Sequence, residues 1–121
     1  MKRSYTDIVE LSSALNAGEI NASYLLEQEL ADIERRQVML NCYVELDEVG
    51  ARRSAEYSDR RRRSGKALSL LDGVPIALKD NIDAENMATR NGSKYSHRVS
   101  GEAVVSTALR EAGAIIMGKL N

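Results

Sequence analysis

The chain is 121 residues long, 43% hydrophobic, with a formal net charge of −1. That is one domain's length or part of a larger one, with enough apolar content for a core; disorder and recruitment to nucleic acid or membrane by bulk charge are excluded. With no Trp or Phe and only five Tyr, the core must be aliphatic, and the single Cys42 rules out an internal disulfide and fits a reducing compartment.

Ser4 and Asp7 stand at capping-box spacing, and Ile8, Leu11 and Leu15 follow on one helical face, so a first helix is expected, stopped by Gly18. Asn21 caps a second, whose stripe is Ala22, Leu26, Leu30 and Ile33, with Arg35 and Arg36 at its end suiting the macrodipole. Residues 40–44 read as a short connection, possible as extended chain. A third helix is expected from about Asp47 to Arg63, with Val49, Ala51, Ala55 and Ser58 inward and a thin apolar stripe. Arg60 to Arg63 lacks interleaved aromatics, so it reads as a solvated last turn rather than a nucleic-acid patch.

Asp72-Gly73 is a turn signal leading into Val74–Leu78, a short, β-branched apolar run expected to be a strand buried on both faces. It delivers Lys79 at its C-terminal end. A strand-end lysine is ordinarily a surface residue, but the same placement in an α/β sheet also builds active sites, and a buried lysine acts as a base once its charge is disfavoured. A polar stretch from Asn81 to Gly101 follows. Glu102 to Ala112 has a helical face of Val105, Ala108, Leu109 and Ala112, and residues 114–118 form a second strand-like run. The second half is therefore a βαβ unit with parallel strands. Cys42 and the single histidine, His97, are far apart, so neither a Cys/His nucleophile pair nor a zinc site is expected. No run is long enough for a membrane span or a leader core, which with the lone cysteine predicts a cytoplasmic protein.

Several segments together resemble the N-terminal part of an amidase signature hydrolase. They are Gly73-Val74-Pro75-Ile76-Ala77-Leu78-Lys79-Asp80-Asn81-Ile82, Thr89 with Gly92-Ser93, Ala103-Val104-Val105 through Leu109-Arg110-Glu111-Ala112-Gly113-Ala114, and Gly118-Lys119-Leu120-Asn121. The order of elements before them also fits, so the resemblance covers essentially the whole chain. It implies an α/β fold: N-terminal helices (1–65) plus the first βαβ unit (70–121) of an α/β/α sandwich, with the sheet incomplete. It further implies cleavage of carboxamide C–N bonds by a Ser–cis-Ser–Lys triad, with Lys79 at the base position and neither cofactor nor metal. Asp80, Asn81 and the Thr89–Ser93 loop would border the site.

In this family both triad serines and the oxyanion hole lie beyond the Gly-Lys-x-Asn segment, where these 121 residues stop. Ser93 and Ser96 are not at those positions. The expectation is therefore an amidase portion, inactive alone, whose longer parent takes a small-molecule amide. Two alternatives stand beside it: the ammonia-releasing subunit of a tRNA-dependent amidotransferase, and a non-catalytic binding module on the same scaffold. Gly118-Lys119-Leu120-Asn121 leans toward the stand-alone amidase. Strands without neighbours predict self-association, or a partner subunit, through exposed sheet edges.

Overall fold

The computed structural model describes residues 4–96 and 101–121; His97 and Ser100 of the polar stretch lie outside the described residues. The elements are α1 (Ile8–Asn16), α2 (Ala22–Leu40), β1 (Tyr43–Leu46), α3 (Glu48–Arg63), β2 (Pro75–Lys79), α4 (Val104–Glu111) and β3 (Ile115–Leu120).

Side-chain caps start the first three helices. Asp7, Asn21 and Asp47 each accept a hydrogen bond from the backbone N–H three residues on, at Glu10, Tyr24 and Gly50. The first helix begins after Asp7 rather than at Ser4. The second runs to Leu40, past its expected end near Arg36, and stops where Asn41 turns left-handed at φ 44°.

Three strands form one sheet in the order β1-β3-β2. β2 and β3 are parallel, as expected, joined through α4. β1 is an addition to the sheet: residues 40–44 are expected as a short connection open to an extended form, and Tyr43–Leu46 is extended and pairs antiparallel with β3. β3 therefore has neighbours on both edges, which corrects the expectation that it lacks them. β2 is an edge strand, opens on Pro75 and is only half-buried over Pro75–Ala77, not covered on both faces.

Two apolar clusters occupy the two faces of the sheet. On one, Ala22, Leu26 and Leu30 of α2 and Ala51 and Ala55 of α3 close over Ile115 and Met117 of β3. The alanines let α3 come close, and burial of this face contributes apolar stabilisation. On the other, Leu78 and Ile116 pack against Ala84 and Met87, with Ile76, Ile82 and Leu109 at the margin.

Some residues expected to face inward lie at the surface. Val49 is 69% exposed, because it sits two positions, about 200° of helix, from the buried Ala51. On α4 only Leu109 reaches the second cluster. Val104 and Val105 face outward, Ala108 is exposed, and the buried residue is Ser106, whose hydroxyl donates to the Asp83 carbonyl at 2.7 Å. Ile8 on α1 is also exposed.

Candidate active site

The approach to Lys79 begins at a clamped turn. Asp72 is fully buried. Its carboxylate accepts from Arg61 Nε at 2.8 Å and Nη2 at 2.7 Å, and from the Leu68 backbone N–H at 2.8 Å. Arg62 donates twice to the Asp72 carbonyl, at 3.1 and 2.7 Å, and also holds Asn16. Half of the arginine run is thus built into the turn, not a solvated last turn. Burial raises the Asp72 pKa, but the Arg61 and Leu68 hydrogen bonds outweigh it and leave the carboxyl below its usual range.

Gly73 follows at φ +86°; a Cβ there would lie 2.6 Å from Ser58 Oγ and 3.0 Å from Ala22 Cβ. Its N–H donates to the Gly113 carbonyl at 3.0 Å, and Ile115 N–H donates to Val74 O at 2.9 Å, which starts the parallel ladder. β2 then carries the chain to Lys79.

At that end the two parallel strands each present a lysine, and the two differ completely. Lys79 is exposed, and its side-chain amine makes no hydrogen bond or ion pair among the described residues, although its carbonyl accepts from the Ile82 N–H at 3.0 Å. The desolvation that a lysine base requires is therefore not provided by the described residues. Lys119 is 0% exposed. Its Nζ donates to Asp80 Oδ1 at 3.3 Å, Thr89 Oγ1 at 3.3 Å and the Ala88 carbonyl at 3.4 Å. Asp80, 3% exposed, ends the ladder through its N–H to Leu120 O at 2.8 Å.

Asp80 also gathers the loop. Its carbonyl accepts from Asn91 N–H at 3.1 Å and its carboxylate from Arg90 N–H at 3.4 Å. Thr89, also buried, donates to Asp83 Oδ1 at 2.7 Å. From β1, Glu45 accepts from Ala88 N–H at 3.2 Å and from Arg90 Nη1 at 2.9 Å. Asp80 and Thr89 are therefore loop supports beside Lys79, while Asn81, Gly92 and Ser93 are exposed.

Sequence reasoning carried Lys119 only as a motif letter and missed its burial. The register explains why. A shift between Ile76 and Ala77 leaves Ile116 opposite Ile76 but Gly118 opposite Ala77, so one residue of β3, Met117, is extra. Beyond it Lys119 pairs with Leu78 and shares that residue's face, with Ile116. Simple alternation from Ile115 would have placed it under α2 and α3. No composition rule announces a bulge of this kind.

A groove of about 1110 Å³ lies elsewhere, between α1, α2 and the end of α3, bordered by Leu15, Tyr24, Leu25 and Arg62; neither Lys79 nor Asp80 lines it. Among the described residues no three His, Cys, Asp or Glu side chains gather in a way that could hold a metal ion. No helix among them is long and apolar enough to cross a membrane.

A mixed three-stranded sheet with helices packed on it and a lysine presented where a parallel strand ends is an α/β fold. The sequence model of the family described as Amidase matches residues 24–121. The chain belongs to the amidase signature family.

It is 38% identical over 117 residues to a glutamyl-tRNA(Gln) amidotransferase subunit of Lachnospira eligens, covering 93% of this chain and 24% of that protein. The same subunit of Myxococcus xanthus is 37% identical over 116 residues, covering 94% and 24%. Among solved structures, the native peptide amidase from Stenotrophomonas maltophilia superposes with a TM-score of 0.91 at 34% identity, covering 98% of this chain and 25% of that one. The chain thus spans about a quarter of the length of the relatives it matches.

Proposed function

We propose that this chain is the base-bearing portion of an amidase that hydrolyses carboxamide C–N bonds. The observation that supports this is the contrast at the strand ends: of two neighbouring lysines only Lys79 leaves its amine unengaged and open to an incoming group. In the proposed mechanism the neutral Lys79 amine takes a proton from a bridging serine, which takes one from a nucleophilic serine. The nucleophilic serine oxygen adds to the amide carbonyl, and the C–N bond breaks as the proton returns through the bridging serine to the departing amine or ammonia. Water then cleaves the acyl ester to release the acid and restore the serine. Both serines and the oxyanion donors lie in the remaining three quarters of the amidase domain. That remainder also covers Lys79 and supplies the desolvation that disfavours its charge. The substrate is a small-molecule amide. Free Cys42 fits a reducing compartment, and the proposal places the enzyme in the cytosol.

The decisive experiment compares wild type with Lys79→Ala in a polypeptide that carries these residues at the head of a complete amidase domain. Amide turnover should fall by at least about 10³-fold with the thermal midpoint little changed. Wild-type turnover in Lys79→Ala would sink the base assignment, and a folded full-length protein without any turnover would favour a non-catalytic module. The 121-residue chain alone should release no ammonia from amides.

The amidotransferase reading is favoured by identity to the Lachnospira eligens and Myxococcus xanthus proteins. It uses Lys79 in the same role and differs in substrate: ammonia released from glutamine only when a partner subunit is present, against unaided hydrolysis of free carboxamides.

A further inference from the structure

Lys119 is the buried cation that the proposed reaction does not use. An ammonium has three protons to donate, and taking it out of water is costly unless all three find acceptors. Its three acceptors, Asp80 Oδ1, Ala88 O and Thr89 Oγ1, all lie on the segment that leaves Lys79. The cation on β3 thus joins the two ends of an excursion that departs from β2 at Asp80 and returns at Thr89.

Two further observations point the same way. The bulge at Met117 is what turns Lys119 to this side of the sheet. On β1 a second shift lies between Tyr43 and Glu45, after which Glu45 pairs with Lys119 and holds Ala88 and Arg90 of the loop. Two separate departures from regular pairing bring an anion and a cation under one loop. Gly118 is part of the device: a Cβ there would collide with the Glu45 carbonyl oxygen, so only glycine lets β1 come this close.

We propose that Lys119 is the positioning residue for Lys79: by holding Asp80 and Thr89 together it fixes the backbone at the end of β2, and so the direction in which the Lys79 amine is offered. The inference rests on Lys79 being the base. The charged groups around the clamp are Asp80, Asp83 through Thr89, Glu45 and Arg90, so a neutral replacement of Lys119 leaves Asp80 without its cation. A proton acceptor needs its partner within hydrogen-bond reach, and a displacement of about 1 Å costs on the order of 10²-fold in rate.

The test uses the polypeptide with a complete amidase domain and reads kcat and KM separately for wild type, Lys119→Met, Thr89→Val, Lys79→Ala and the double variant Lys79→Ala/Lys119→Met. Lys119→Met is expected to lower kcat about 10²-fold with KM within about threefold. Thr89→Val, which removes one of three acceptors and keeps the side-chain shape, is expected to lower kcat about tenfold. On the Lys79→Ala background, Lys119→Met should subtract less than about threefold from the residual rate, because its effect passes through Lys79. A purely structural lysine would instead lower the rate by the same factor on both backgrounds.

Should Lys119→Met fail to fold, Thr89→Val decides: unchanged kcat in that variant overturns the inference. Folded variants with wild-type kcat while Lys79→Ala is inactive would overturn the positioning role and leave the base assignment standing. Full activity in Lys79→Ala would remove the base assignment itself. Amide hydrogen exchange gives the same answer without turnover: in Thr89→Val the N–H groups of Asp80, Arg90 and Asn91 should exchange at least about tenfold faster than in wild type, and unchanged protection counts against the clamp.

Discussion

The two faces of the sheet are held by different physics. Under α2 and α3 the contacts are apolar and small, with Ala51 and Ala55 against Leu26, Leu30, Ile115 and Met117. Under the loop from Asp80 to Asn91 a smaller apolar cluster is joined to a polar network of Lys119, Asp80, Thr89, Asp83, Glu45 and Arg90. The first face tolerates adjustment, because dispersion and burial are non-directional. The second depends on each partner being present, because a buried charge without its counterpart is expensive. It follows that the face carrying the proposed chemistry is also the face that a single polar substitution can dismantle.

The largest effect should come from breaking that second face. Asp80→Leu removes the carboxylate and leaves the Lys119 ammonium buried with two neutral acceptors, Ala88 O and Thr89 Oγ1. The expected loss is about 3–5 kcal/mol in urea unfolding. The double variant Asp80→Leu/Lys119→Met should recover much of it, since an apolar pair of similar volume removes both desolvation costs. A double variant no more stable than Asp80→Leu would show that the loop is held by something other than this pair.

On the first face, Leu26→Ala should cost about 2–5 kcal/mol. Leu26 is 0% exposed, and the alanines around it cannot collapse far into the space left behind. The loss should leave the Asp80, Arg90 and Asn91 amides ordered in the remaining folded population. If the loop amides open in parallel with α2, the two faces are one cooperative unit rather than two separately held ones.

A smaller effect is expected at the turn that joins the two faces. The Asp72 carboxyl titrates below its unfolded value in the folded chain, chiefly because Arg61 and the Leu68 N–H outweigh burial. A depressed folded pKa means that its contribution is fully present above the unfolded pKa and is lost as pH falls through the folded one. Between about pH 4 and pH 2 wild type should therefore lose stability more steeply than Asp72→Asn. Parallel pH profiles for the two proteins would remove Asp72 from the acid response.

The first face was largely legible. The stripe Ala22, Leu26, Leu30 and Ile33 could be read from helical spacing, as could Ala51 and Ala55, because each buried helical residue there answers to the period of its own helix. The loop face was not. Ser106 is buried for a hydrogen bond to Asp83, 23 residues away, while the more apolar Val104 and Val105 face out. Lys119 is buried by a bulge and by acceptors 30 to 39 residues back in the chain. β1 escaped because Tyr43–Leu46 is only four residues long and pairs with the far end of the chain. Lys79 is the intermediate case: its strand and its place at the strand end were readable, but its exposure was not, because exposure depends on what packs against it.

The smallest expected effect tests the limit of that legibility. Val49 belongs to the apolar residues of α3, yet it is 69% exposed on the side turned away from Ala51. Val49→Lys should therefore change stability by no more than about 0.5 kcal/mol in urea unfolding, and the higher helix propensity of lysine gives the change a small stabilising bias. If the isolated chain associates, the experiment becomes more informative. Val49 then reports whether the outward side of α3 takes part, and a lysine there should shift the sedimentation profile toward monomer at a fixed concentration. A profile that is unmoved would turn attention to the sheet edge at β2, since on β1 the Gln37 side chain already takes both backbone groups of Tyr43. A loss of more than about 1 kcal/mol in the monomer would mean that Val49 is buried after all, and that α3 sits rotated from the position in which Ala51, Ala55 and Ser58 close the first face.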